Sequence, residues 1–149
     1  MRRPWVLVVI AFAVTRLLAG YVADHPEDVY PSGSVDPSVD TGVYEAWARQ
    51  MQDDGRAPYE DFHVEYPPAA LAIANLPYAV AADDYQPAYI LQSIVLDGLG
   101  LLAVYRMAKR RRSWWGVIAW LVLLPLLGPV AYTRLDMAVA AALAWALGR

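Results

Sequence analysis

Cysteine is absent from this chain, which excludes disulfides, thiolate nucleophiles and cysteine-ligated metal sites. Charge is scarce as well: 18% of the 149 residues are Asp, Glu, Lys or Arg, against roughly 25% in an ordinary soluble domain. A glycine-rich phosphate loop, an HExxH helix and any internal repeat are all missing, so nucleotide-driven and zinc chemistry have no motif to rest on. No metal and no cofactor is expected.

Apolar residues are plentiful, at 58%, and they come in blocks instead of alternating as surface and core. Blocks of this kind point to lipid as the solvent. We read an all-α integral membrane protein, residues 1–149 as one membrane domain. It has three full transmembrane helices, a short fourth, and a large extracytoplasmic first loop carrying amphipathic and re-entrant or interfacial helices. The first span covers residues 4–22, the second 87–107, the third 114–131, and a partial fourth 135–147. Tyr21 spoils a small-x-small cleavage site, so the first span reads as retained and not as a signal peptide.

The net charge of −3 hides a segregation. Acidic residues gather between Asp24 and Glu65, while basic ones sit at Arg2-Arg3 and at Lys109-Arg110-Arg111-Arg112. The positive-inside rule then places the N-terminus in the cytoplasm of a cell-membrane protein and residues 24–86 outside. It also argues against residues 67–82 as a crossing, because one more span would export the Lys109–Arg112 cluster. That segment, interrupted by Asn75 and Pro77, reads as interfacial. Pro125 and Pro129 predict kinks in the third span. Charge segregated this way reports orientation, and no nucleic-acid partner is expected.

Within the outer loop, residues 25–39 are rich in Pro, Ser, Gly and Asp and read as irregular. Tyr44, Trp47, Ala48 and Met51 then fall at i, i+3, i+4 and i+7, which predicts an amphipathic helix over 41–54. Asp40 or Thr41 can cap its start and Gly55 can close it.

Four elements follow in order: Asp40 ahead of Val43-Tyr44, the amphipathic helix, Gly55-Arg56-Ala57-Pro58-Tyr59, and Glu65-Tyr66-Pro67-Pro68 entering an apolar run. This order resembles the first outer loop of GT-C glycosyltransferases that use a polyprenol-phosphate sugar, especially the N-terminal part of glycosyltransferase family 87 and the mannosyltransferase of glycolipid-anchor synthesis. Some relatives carry Asp-x-Asp before the Val-Tyr pair; here Ser38-Val39-Asp40 supplies one carboxylate. Family members are longer, with more membrane helices.

The resemblance implies transfer of a sugar, mannose above others, from a polyprenol-phosphate donor to a lipid or glycan acceptor on the extracytoplasmic face. Lipid phosphate leaves without strong acid assistance, so the remaining demand is a base for the acceptor hydroxyl, and Asp40 is that candidate. A cap for the helix is the competing role. Donor or substrate contacts are expected from Tyr44, Tyr59, His63, Glu65, Tyr66, Arg134 and Asp136, with Arg134 able to grip phosphate by two hydrogen bonds. For Glu65 and His63 the alternative is simple solvation. Asp97 lies mid-span, where an ionisable group needs a partner, and Arg16 is the candidate. The alternative function is a truncated or split non-catalytic module that binds lipid or a second chain completing the fold.

Overall fold

A computed structural model describes residues 4–24, 38–128 and 130–148. Regular structure among them is helical throughout: α1 (Pro4–Asp24), α2 (Ser38–Gln52), α3 (Pro68–Val80), α4 (Tyr85–Arg111), α5 (Trp115–Leu126), α6 (Val130–Thr133) and α7 (Asp136–Leu147). One isolated bridge joins Pro58 and Phe62. Arg2-Arg3, Pro129 and residues 25–37 of the segment expected to be irregular lie outside the described residues. Ser38 and Val39 belong to α2.

Two helices are long and apolar enough to cross a membrane, α1 and α4. The 21 residues of α1 extend about 31 Å, and a hydrocarbon core is roughly 30 Å thick. Pro4 opens α1 at a position where a missing N–H costs nothing. α4 is longer, 27 residues, and ends in Lys109, Arg110 and Arg111, which complement the negative end of the helix dipole. The chain leaves it through Arg112 in the left-handed region, φ 51°.

The expectation of three full crossings and a short fourth does not hold. The run over residues 114–131 is not one helix: α5 stops at Leu126 after 12 residues, and Gly128, at φ 64°, turns the backbone before α6. α7 also has 12 residues. Such helices reach about 18 Å, well short of a bilayer core. Hydropathy counts apolar residues along the chain and is blind to the break that Pro125 and Gly128 impose on the helix.

Packing among the described residues divides into three clusters, one of them formed by Ala131, Tyr132 and Met137 against Ile94, Leu96 and Leu124. At one end, α2, α3 and the start of α4 enclose Tyr44, Trp47, Ala48, Val64, Leu71, Tyr78, Tyr85 and Tyr89, with Leu135 closing the cluster. Deeper, Val8, Ala11 and Phe12 of α1 meet Leu101 of α4 and Val117 and Leu121 of α5. Gly100 permits the close approach there, since a Cβ on it would stand 2.4 Å from the Trp120 ring and 3.4 Å from the Ala141 backbone. Arg16 and Ala19 of α1 also turn inward, while Leu7, Val14, Leu17 and Leu18 face outward, Leu17 at 75% exposed.

Both prolines inside helices free a carbonyl, and each carbonyl is caught by a side chain. Pro77 cannot donate to Ile73 O, and Gln92 Nε2 of α4 does so at 3.0 Å. Pro125 cannot donate to Leu121 O, and Arg16 of α1 reaches it at 3.3 Å. These donors satisfy carbonyls that would otherwise be left unpaired, and so let short, proline-interrupted helices persist.

Candidate functional site

Asp40 lies in the first turn of α2. Because that helix starts at Ser38, neither Asp40 nor Thr41 stands at the cap position expected from the sequence. Its carboxylate still favours the positive end of the helix dipole. Arg134 arrives from the other half of the chain, in the turn between α6 and α7, and its Nε stands 3.8 Å from Asp40 Oδ2 and 3.4 Å from Asp136 Oδ2. All three side chains are partly open to solvent, 46%, 44% and 76% exposed for Asp40, Arg134 and Asp136. The Tyr66 hydroxyl, then Asp136 and Asp40, hold the Arg134 guanidinium above its ordinary value, so it is a permanent cation.

Beneath this triad, Tyr44 and Tyr66 form the floor. Their rings meet edge to face at 6.2 Å, and Tyr44 also contacts Tyr89 at 5.5 Å and Trp47 at 5.6 Å. Tyr44 is buried, 2% exposed. Its hydroxyl faces Tyr66 and the Leu135 backbone without meeting hydrogen-bond geometry to any partner. Burial, then Tyr66 and Asp40, push its ionisation upward, so the hydroxyl keeps its proton and remains a donor. An unpaired buried hydroxyl costs on the order of 1–3 kcal/mol. Tyr44 is thus a core residue whose ring packs and whose polar tip lies next to the Asp40 side of the site.

The loop between α2 and α3 is tightly built. Gly55 and Tyr59 both take positive φ, 64° and 70°, and Asp61 accepts from Ala57 N at 2.7 Å. Arg56 donates to Gln50 Oε1 at 2.7 Å and to Asp61 O, and stacks over Phe62. Tyr59 spends its hydroxyl on Tyr66 O, 2.7 Å away. It therefore holds Tyr66 in place instead of presenting a free donor. His63 and Glu65 are 84% and 78% exposed and approach only each other, at 3.9 Å. Both side chains are open to solvent in the loop that leads to Tyr66.

Asp97 is wholly buried and paired with Arg16. Arg16 Nε and Nη2 donate to its two oxygens at 2.7 and 2.9 Å, Trp120 Nε1 donates at 2.7 Å and the Tyr132 hydroxyl at 2.9 Å. Four donors fill the carboxylate's acceptor sites, which leaves no valence for a substrate. Trp120 and Tyr132 went unread in the sequence. Their only signal was a polar tip on a ring inside an apolar run, which says a partner is needed but not which one.

Between α3 and α4 runs an apolar groove of about 500 Å³, lined by Ile73, Leu76, Val80, Leu91, Gln92 and Val95 among others. Gln92 Oε1 is buried there without a donor. Among the described residues, no group of three or more histidine, aspartate or glutamate side chains could hold a metal ion. Comparison of the chain with protein-family models, curated proteins and solved structures returns no match.

Proposed function

We propose that this chain transfers a sugar, mannose in the first instance, from a polyprenol-phosphate donor to a glycan or glycolipid acceptor, or forms the N-terminal portion of a transferase that does so. The observation carrying this reading is that Arg134, from the turn between α6 and α7, meets Asp40 of α2, with the buried Tyr44 hydroxyl one turn along α2 from that carboxylate. Asp40 takes the proton of the acceptor hydroxyl as its oxygen bonds to the sugar's anomeric carbon. The bond from that carbon to phosphate breaks, and the departing polyprenol phosphate is held by Arg134. Arg134's contacts to Asp40 and Asp136 are long enough to yield to a phosphate. The groove between α3 and α4 offers an apolar path for prenyl units.

In this reading α1 begins in the cytoplasm, α4 returns there, and Asp40 faces the outside of the cell membrane at headgroup level. The test is release of polyprenol phosphate from a labelled lipid-phosphate sugar by the purified chain. Asp40→Asn should lower turnover by at least about 100-fold, a typical general-base contribution, with the helical circular dichroism unchanged. Full turnover in Asp40→Asn removes Asp40 from the mechanism. If the unaltered chain releases nothing, the non-catalytic module that binds lipid or a partner chain takes the transferase's place.

A further inference from the structure

The end of α4 opposite the Asp40 cluster carries Arg106, Lys109, Arg110, Arg111 and Arg112, all exposed. Arg106, Lys109 and Arg110 fall at i, i+3 and i+4 and so share one face of the helix. None of the five has a carboxylate partner among the ion pairs of the described residues. Their contacts are π faces and one carbonyl: Arg106 over Trp145 at 4.9 Å, Lys109 near Tyr105 at 5.9 Å, and Arg110 donating to Gly148 O at 2.8 Å. A helix C-terminus offers only about half a negative charge, so most of this positive charge is uncompensated.

Aromatic rings lie next to these cations, and Trp145 reaches back along α4 to donate to Leu99 O at 3.0 Å. Trp114 packs on Tyr105 at 5.7 Å, Trp115 is 78% exposed, and Trp145 is 37% exposed. Leu99 and Leu102, one to two turns back along α4, also face outward. Cations, indoles and then an apolar wall, in that order along a membrane-length helix, match the order of phosphate, glycerol and acyl chain in a phospholipid.

We propose that this collar binds the headgroups of anionic phospholipids, with the phosphate held by Arg106, Lys109 and their neighbours and the tail lying along Leu99 and Leu102. The site is independent of sugar transfer. A nucleic acid would use the cations but has no need of the apolar wall beside them.

The purified full chain in neutral detergent is titrated with phosphatidylglycerol or phosphatidylcholine, and retained lipid is counted by native mass spectrometry. Phosphatidylglycerol should be retained preferentially, the preference should fade in 0.5 M salt, and a variant carrying Arg106→Gln, Lys109→Gln and Arg111→Gln should lose it by about 100-fold, at roughly fivefold for each of the three cations. Equal retention of the two lipids by the unaltered chain overturns the proposal, and so does an undiminished preference in a folded triple variant. Displacement of phosphatidylglycerol by inorganic phosphate at equal concentration would show that the tail contributes nothing, and displacement by an oligonucleotide would assign the collar to nucleic acid. Should the variant fail to fold, the lipid comparison and its salt dependence on the unaltered chain still decide.

Discussion

Asp97 and Asp40 are both aspartates close to an arginine, and their surroundings give them opposite roles. Asp97 has lost all contact with solvent, and Arg16, Trp120 and Tyr132 together satisfy both of its oxygens. Removing one member strands the other in an apolar setting. Asp97→Ala is expected to cost about 3–5 kcal/mol, whereas Asp97→Leu combined with Arg16→Leu should recover most of that loss. Thermal unfolding in micelles measures both. Asp40 keeps about half its surface open and only loose contacts to Arg134. A carboxylate that must accept a proton from a bound substrate needs that access.

At the scale of elements, the prolines decide how the short helices are held. α3 survives Pro77 because Gln92 replaces the missing backbone donor. Gln92→Leu should therefore destabilise the protein by about 1–3 kcal/mol through the unsatisfied Ile73 carbonyl. In a background with Pro77→Ala, the helix supplies its own donor and the same change should cost much less. A double-mutant cycle on melting temperature reads the difference. Hydrophobic periodicity located α2 closely, since its buried stripe of Tyr44, Trp47 and Ala48 is what packs. The region after residue 114 misled the same reasoning. Its composition is continuous but its backbone is not, and length along the sequence overstated the span that α5 can make.

For the molecule as a whole, the absence of cysteine makes the proposed topology directly testable. Single cysteines placed at Glu60, in the α2–α3 loop, and at Arg111, at the basic end of α4, should behave oppositely in intact cells. A membrane-impermeant maleimide should label the first at once and the second only after permeabilisation. Labelling of Arg111→Cys from outside would invert the orientation and take the donor-side reading of Asp40 with it.

Sequence alone established that the apolar residues come in blocks, two of them in helices long and apolar enough to cross a membrane, and that the charges are segregated along the chain, because those properties are sums over neighbouring residues. It also demanded a partner for Asp97 and offered Arg16, which helix packing delivers. The further donors Trp120 and Tyr132, the meeting of Arg134 with Asp40, and the capture of the Ile73 and Leu121 carbonyls belong to tertiary structure. Each joins groups far apart in the chain, and the choice of partner was made by helix packing, which brings one particular donor within hydrogen-bond reach of one particular acceptor.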